Sequence, residues 1–254
     1  MKILVSNDDG INARGIHELV EALSEEAEIY VCAPDSERSA SGHGITVSKP
    51  ITGEETEFEG AAFAMKFSGT PADCVKLGLR ILSARGVKID MVCSGINHGG
   101  NLGTDTLYSG TVSAAIEGSI CGVPAVAVSI NSHHPQHFGY ARRLAAEAVI
   151  KSKDKISPDT VLNINVPALP DEEIKGLRYT SLGKREYREF FSPIELENGK
   201  TGYRYSGEPV IYDNLPDTID VIAMQKGYAT ITPLKMDLTD YAMIEEIRKW
   251  RIDK

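Results

Sequence analysis

The apolar run KILVS at residues 2–6 breaks into Asn7-Asp8-Asp9-Gly10. Adjacent side chains on a pleated strand point to opposite faces. Asp8 and Asp9 can therefore converge only where the backbone leaves the pleat, and Gly10 makes that departure cheap. Two carboxylates held together repel unless one takes a proton or a cation sits between them. Oxygen donors of this kind suit a hard divalent ion such as Mg²⁺ or Mn²⁺. The competing reading of the doublet is a solvated turn that caps a helix, since Asn and Asp favour both positions.

Two further segments share this texture. After the apolar run EIYVCAP comes Asp35-Ser36-Glu37-Arg38-Ser39-Ala40-Ser41-Gly42-His43-Gly44, and after DMVCSGI comes Asn97-His98-Gly99-Gly100-Asn101-Leu102-Gly103. Both are polar loops of small residues directly following a strand, where ligands of open α/β sheets bind. Tyr108-Ser109-Gly110-Thr111 then precedes a helical pattern. Hydroxyls and free N–H groups at a helix start can receive an anion or simply cap the helix. Other phosphate chemistries lack their signatures: the chain contains no GxxxxGK[ST], no GxGxxG after the first strand, no Asp-x-Asp in place of the doublet and no GxSxG elbow.

These loops need a scaffold, and the patterning supplies one. Strands are expected at 2–6, 28–33, 62–67, 89–94, 124–130 and 160–166, with helices at 14–27, 71–85, 110–121 and 138–151. The first helix carries Ile16, Leu19, Val20 and Leu23 at helical spacing. Strands alternating with helices imply βαβ units and a mostly parallel sheet. Beyond about residue 170 the texture changes, and seven of the ten tyrosines lie from Tyr179 onward. Residues 184–216 read as a protruding hairpin, 219–233 as a strand pair turning at Lys226-Gly227, and 239–252 as an amphipathic helix striped by Tyr241, Ile244, Ile247 and Trp250. The arm and the last helix are candidates for contacts between subunits, against the alternative that they pack on their own chain.

At 254 residues the chain suits a single domain, with a core over 1–170 and an extension over 171–254. A net charge of −9 argues against a stable nucleic-acid partner, which needs a basic surface. Cys32, Cys74, Cys93 and Cys121 form no CxxC pair and read as free, buried thiols of a reducing cytoplasm. No secretory start and no membrane-spanning run is expected.

The blocks NDDG, RSASGH, GTPADCV at 69–75 and SGINHGGNLGTDTLYSGTVSAAIEG at 94–118, in this order, resemble the SurE family of survival-protein phosphatases. The resemblance runs through roughly the first 130 residues and continues more loosely into the arm. It implies a Rossmann-like sheet with helices on both faces and hydrolysis of nucleoside 5'-monophosphates, with 3'-nucleotides and short polyphosphate as side activities. It also implies one divalent cation per subunit, Mg²⁺ or Mn²⁺, held by Asp8, Asp9, Ser39 and Asn97. A homodimer or homotetramer would form through the arm and terminal helix. Gly44 stands where relatives often carry serine, and His98-Gly99 falls where relatives vary; both departures bear on substrate preference, since neither is in the ligand set.

On this reading the cation activates a water that attacks the phosphorus in line, and Asp8 or Asp9 orients that water. Ser109, Gly110 and Thr111 would bind the phosphate, with Asn12, Ser41 and Asn101 on the pocket wall. His43 and His98 are candidates for the general acid. His133, His134 and His137 read as a loop at the rim, with a second metal site as the alternative. Two rival functions stay open: a non-catalytic nucleotide- or metal-binding protein, and a sugar-nucleotide transferase using Mn²⁺.

Overall fold

Period-two alternation divides each central strand between two cores. In β1 (Lys2–Ser6), Ile3 and Val5 face one hydrophobic cluster and Leu4 the other. In β2 (Glu28–Pro34), Ile29, Val31 and Ala33 face the first cluster while Tyr30 and Cys32 face the second. A strand apolar on both faces must be covered on both, which is the condition of a parallel sheet sandwiched by helices. Helix α1 (Arg14–Ser24) covers the first face with the predicted stripe Ile16, Leu19, Val20 and Leu23, all buried.

The computed structural model describes residues 1–188, 191–205, 207–210 and 215–252. After β1, α1 and β2 follow β3 (Gly53–Glu55), β4 (Phe63–Phe67), α2 (Pro71–Ala84), β5 (Met91–His98), α3 (Gly110–Ile120), β6 (Ala125–Ile130), α4 (Gly139–Ser152) and β7 (Thr160–Val166). The extension contains β8 (Leu177–Tyr179), β9 (Tyr187–Arg188), β10 (Phe191–Glu195), β11 (Thr201–Tyr205), β12 (Glu208–Pro209), α5 (Asp220–Gln225), β13 (Ala229–Lys235) and α6 (Tyr241–Lys249). Helices α1 and α4 pack on one face of the sheet, and α2 and α3 on the other.

The large sheet has the order β3-β4-β2-β1-β5-β6-β7-β13-β8. From β4 to β7 every pairing is parallel. The chain winds outward from β1 to β2 and β4, then returns to the other side of β1 with β5. The point where it changes direction lies between the carboxyl ends of β1 and β5, the position at which such sheets bind ligands. Those two ends carry Asp8-Asp9 and Asn97-His98.

The strands and helices expected up to residue 166 are all present, with ends shifted by a few residues. The edge strands β3 and β8 add to them; each is three residues long and lacks the apolar pattern of a buried strand. One expectation is corrected. Residues 219–233 do not form a strand pair: 220–225 is the helix α5, followed by the single strand β13. Asp220 explains the outcome. It is fully buried, and its carboxylate accepts hydrogen bonds from the backbone N–H groups of Val221 (2.8 Å), Gly103 (2.7 Å) and Gly183 (2.8 Å). Two of these donors lie far away in the chain, so the helix start is set by tertiary contacts that a local pattern does not reveal.

The arm is the expected hairpin: β10 pairs antiparallel with β11, and β9 pairs antiparallel with β12 beneath it. Parts of the segment assigned to the arm, residues 189–190, 206 and 211–214, lie outside the described residues. The four cysteines are unpaired as expected, but only Cys32, Cys74 and Cys93 are buried; Cys121, at the end of α3, is exposed.

The loop after β5 is clamped by side chains of β7. Asn165 accepts from the Asn101 N–H through Oδ1 (2.7 Å) and donates from Nδ2 to the Asn101 carbonyl (3.0 Å). Asn163 donates to the same carbonyl (2.8 Å), and the Asn101 side chain donates to Ser129 Oγ on β6 (2.8 Å). These groups are buried, so each bond removed leaves a buried partner unsatisfied. Asn165→Ala should therefore lower stability by about 2 kcal/mol in urea denaturation. A loss under about 0.5 kcal/mol, the level of an ordinary surface change, would show that the clamp contributes nothing.

Candidate active site

Asp8 and Asp9 lie just past the end of β1, where the backbone has left the pleat. The turn is closed by the Asn7 side chain, whose Nδ2 donates to the Gly10 carbonyl (2.8 Å), and by Gly10 at φ +94°. This is the geometry the doublet requires, and it gives the two carboxylates different surroundings. Asp8 is 4% exposed, while Asp9 is half-buried.

Helix α3 is pressed against Asp8. The Thr111 hydroxyl donates to Asp8 Oδ1 in a short hydrogen bond. A Cβ placed on Gly110 would fall 2.7 Å from the Asp8 Cβ and 2.9 Å from Oδ2, so only glycine allows the helix this close. Ser109 is the cap residue, and its Oγ accepts from the Val112 N–H (3.0 Å). The positive end of the helix dipole thus faces a carboxylate, a favourable pairing. It does not compensate fully. Burial, with Asp9 adding repulsion, pushes the Asp8 carboxyl up to about 7, while the Thr111 bond pulls the other way. Burial also raises Asp9, against the lowering effect of the His98 N–H, which donates to Asp9 Oδ2 (3.1 Å).

Both carboxylates open into a cleft of about 1000 Å³. The cleft brings together six of the residues singled out from the sequence: Asp8, Asp9, Ser39, Asn97, Asn101 and Ser109. Asn97 is oriented by its own amide, whose Nδ2 donates to the Gly99 carbonyl (2.7 Å), which leaves the Oδ1 face for a ligand. Ser39 is exposed and donates to Glu37 Oε1 (2.7 Å), and its oxygen keeps its lone pairs. Gly110 and Thr111 lie behind Asp8, off the lining of the cleft, and the Thr111 hydroxyl is committed to Asp8. Asn12 is exposed and off the cleft, and Ser41 is also off it, with a buried hydroxyl that has no partner among the described residues.

The donor set fits a hard divalent cation. Two carboxyls raised chiefly by burial, with Asp9 repelling Asp8 and Glu37 repelling Asp9, are relieved by positive charge between them, and the Asn97 carbonyl and Ser39 hydroxyl are neutral oxygen donors. Among the described residues no three His, Cys, Asp or Glu side chains converge as a metal site, and this set contains only two such side chains.

The histidines separate. His43 is off the cleft, with Nε2 2.9 Å from Glu117 Oε2; Glu117 is 2% exposed and also pairs with Lys76 (2.7 Å). His98 lines the cleft, but its ring packs edge-on to Phe138 and its Nε2 is buried with no partner among the described residues. His133 and His134 are exposed and line the cleft; His137 is exposed and does not. Glu37, Asp105, Tyr108, Arg185 and Tyr187 also line the cleft, and the motifs assigned them no role. Arg185 and Tyr187 read as part of the arm in sequence, and only the tertiary fold brings them to the cleft.

The family model described as "Survival protein SurE" matches residues 3–189. The protein named "5'-nucleotidase SurE" from Pelotomaculum thermopropionicum is 46% identical over 250 residues, spanning 98% of this chain and 95% of the relative. Its namesake from Syntrophomonas wolfei is also 46% identical, over 98% of this chain and 94% of its own. The crystal structure of the SurE protein from Aquifex aeolicus superposes with a TM-score of 0.85 at 37% identity, covering 98% of this chain and 99% of that one.

The raised Asp8 carboxyl makes the metal-free site a stability cost with a definite pH window. Between the ordinary carboxylate value of 3.8 and about 7 the folded protein holds a proton that the unfolded chain releases. Stability should therefore fall as pH rises through that window and level off above it, by on the order of 4 kcal/mol in all. Asp8→Asn keeps an acceptor for Thr111 without the charge. In metal-free protein its melting temperature should exceed that of the unaltered chain by a margin that grows from about pH 4 to about pH 7. A margin independent of pH would contradict the assignment.

Proposed function

The chain belongs to the SurE family, and on that premise we propose that it is a 5'-nucleotidase, hydrolysing nucleoside 5'-monophosphates to nucleoside and phosphate with a divalent cation at Asp8, Asp9, Ser39 and Asn97. The observation that carries the reading is the pair Asp8-Asp9 at the change of winding direction, both carboxyls raised and both open to one cleft. A bound Mg²⁺ or Mn²⁺, one per subunit, supplies the charge that polarises a phosphoryl oxygen and acidifies a bound water.

The chain's own groups divide the remaining work. Asp8, buried and fixed by Thr111 and the start of α3, is the rigid ligand. Asp9 is the more open carboxylate, with Oδ2 held by the His98 N–H, and it orients the attacking water as well as binding the cation. Ser109 accepts from Val112 and so keeps its own hydroxyl hydrogen for a phosphate oxygen. Gly110 and Thr111 act on the phosphate through their hold on Asp8, and Asn101 shapes the wall as part of the β7 clamp. The water oxygen bonds to phosphorus opposite the ribose oxygen, the P–O bond to the ribose breaks, and the departing oxygen takes up, in net, the proton that the water gives up. Fixed donors around the phosphoryl group stabilise charge as it shifts in that transition state.

Assembly belongs to the same reading. Helix α6 is exposed along its whole length, and Tyr241 (66%) and Trp250 (57%) of its apolar stripe are open to solvent. We assign this face and the β10–β11 hairpin to a homodimer or homotetramer contact. Deleting the residues after Leu238 should lower the mass seen by light scattering, and an unchanged mass would refute the assignment.

The central experiment is phosphate release from a panel of nucleoside 5'-monophosphates by metal-stripped protein, with Mg²⁺ or Mn²⁺ restored. Release should require the cation and fall by at least about 100-fold in Asp9→Asn, on the scale of losing one electrostatic catalytic group. Cation binding without release from any nucleotide would leave a binding protein instead. No phosphate from any monophosphate, with a diphospho-sugar donor passing its sugar to an acceptor and freeing the nucleoside diphosphate, would indicate transfer.

A further inference from the structure

Glu117 is a carboxylate in an apolar place. It lies on α3, where Val112, Ala114 and Ala115 belong to the second hydrophobic cluster, and it is itself 2% exposed. A charge in such surroundings is costly unless it is paired. Both of its oxygens are engaged. Oε1 lies 2.7 Å from Lys76 Nζ on α2 and 3.7 Å from Cys121 Sγ. Oε2 lies 2.9 Å from His43 Nε2. A carboxylate only accepts, so His43 is the donor. The Lys76 pair is enough to join α3 to α2, and the second oxygen is turned to the loop that carries Ser39.

That loop has few holds of its own. Between Pro34 and Gly53 the chain forms no helix or strand. Ser39 is exposed, and its hydroxyl donates to Glu37 two residues away. Ala40 and Gly42 both sit at φ +54°, so the chain turns sharply just after Ser39. A non-glycine residue such as Ala40 keeps that backbone only where its surroundings impose it. The Gly42 N–H on the Tyr108 carbonyl (3.1 Å) is one such restraint. Of residues 39–43, His43 is the one whose side chain hydrogen-bonds outside the loop. The other three oxygen donors assigned to the cation have direct supports: Asp8 has Thr111, Asp9 the His98 N–H and Asn97 the Gly99 carbonyl.

Helix α3 joins the loop to the paired carboxylates. Its first turn abuts Asp8 through Gly110 and Thr111, and Glu117 lies six residues beyond Thr111, roughly 9 Å along the axis. The helix is seated closely at both places: a Cβ on Gly110 would fall 2.7 Å from the Asp8 Cβ, and one on Gly118 would fall 2.7 Å from Val92 Cγ2. One rigid element therefore carries both the brace of Asp8 and the anchor of the Ser39 loop.

We propose that Glu117 is a positioning residue of the site: through His43 it holds the Ser39 loop in register with Asp8, and so sets the affinity for the cation. The inference rests on the assignment of Ser39 to the cation and adds a buried residue that touches neither cation nor substrate. It gives His43, which lies off the cleft, the role of an anchor.

The test is Mn²⁺ binding to metal-stripped protein, measured by calorimetry. His43→Ala and Glu117→Ala should each weaken binding about tenfold, the lower end for a partner outside the ligand set, and Ser39→Ala should weaken it at least as much. Should Glu117→Ala not fold, His43→Ala decides alone. The double variant of Ser39→Ala and His43→Ala should match Ser39→Ala within about twofold, because the anchor acts through that serine. His43→Gln, which keeps an N–H donor at similar reach, should restore most of the affinity. A merely structural role would lower the melting temperature and leave the Mn²⁺ affinity in place. An affinity in His43→Ala within about twofold of the unaltered protein, or an equal loss with and without Ser39, overturns the proposal. If the unaltered protein binds no Mn²⁺, or Ser39→Ala binds it equally well, the ligand assignment fails by itself, and hydrogen exchange of the amides of residues 40–46 decides the anchor. Faster exchange in His43→Ala then supports it, and equal exchange overturns it.

Discussion

Two like charges held side by side, one of them almost sealed from water, are the constraint around which this fold is arranged. A buried carboxylate is costly unless it is protonated, hydrogen-bonded or neutralised. The chain meets that cost with elements from distant parts of the sequence. The start of α3 brings a hydroxyl and a dipole to Asp8, and the end of β5 brings an N–H to Asp9. These groups converge because β1 and β5 are neighbours in the sheet although some ninety residues separate them, and because the winding leaves a crevice between their ends. The compensation is incomplete, as the raised carboxyls record. A cation between the two carboxyls would relieve that cost.

The loops around the pair are fixed by contacts that face away from the chemistry. The Ser39 loop is pinned by His43 on Glu117 and by the Thr46 N–H on Asp73; Asp73 is also the capping partner of Thr70 at the start of α2. Its backbone touches the site at the Arg38 N–H, which donates to the Asp8 carbonyl (2.7 Å). The loop after β5 is pinned by Asn163 and Asn165. In each case a helix cap or a strand side chain that stabilises the fold also sets the position of a cleft residue. Rigid support of this kind lets short polar loops hold a defined geometry.

The scaffold was readable in the chain because its signals are local. The stripe Ile16-Leu19-Val20-Leu23 and the apolar runs of β1, β2 and β6 each state their structure within a dozen residues. Asp8, Asp9, Ser39, Asn97, Asn101 and Ser109, which the structure brings to one cleft, share a feature visible in the chain: each lies in a polar loop directly after a strand or before a helix. What the chain did not show locally is tertiary. DVIAMQ reads as a strand by apolar content, but three N–H groups on one buried carboxylate make it a helix. The hydroxyl of Thr111 looks free for a ligand until the fold brings Asp8 to it. His43 carries the right chemistry in the right loop and is turned onto Glu117, a partner 74 residues away. Arg185 and Tyr187 gave no signal because their contact with Asp105 spans about eighty residues.

The extension divides at the foot of the arm. Arg185 and Tyr187 belong to the cleft, whereas none of the described residues from 191 onward lines it. The outer part of the extension carries a hairpin with Phe191 and Tyr203 exposed, and a last helix with no buried residue. A short helix gains little stability from its own hydrogen bonds in water, and most of its stability normally comes from burying an apolar face. Helix α6 has such a face, and among the described residues nothing in its own chain buries it. The same argument applies to the two-stranded hairpin, which is marginal when isolated. Both elements thus gain little from their own chain, which is why the assembly proposal places its contacts on them. Arg185 and Tyr187, at the foot of the arm, join that part of the extension to the wall of the cleft through Asp105.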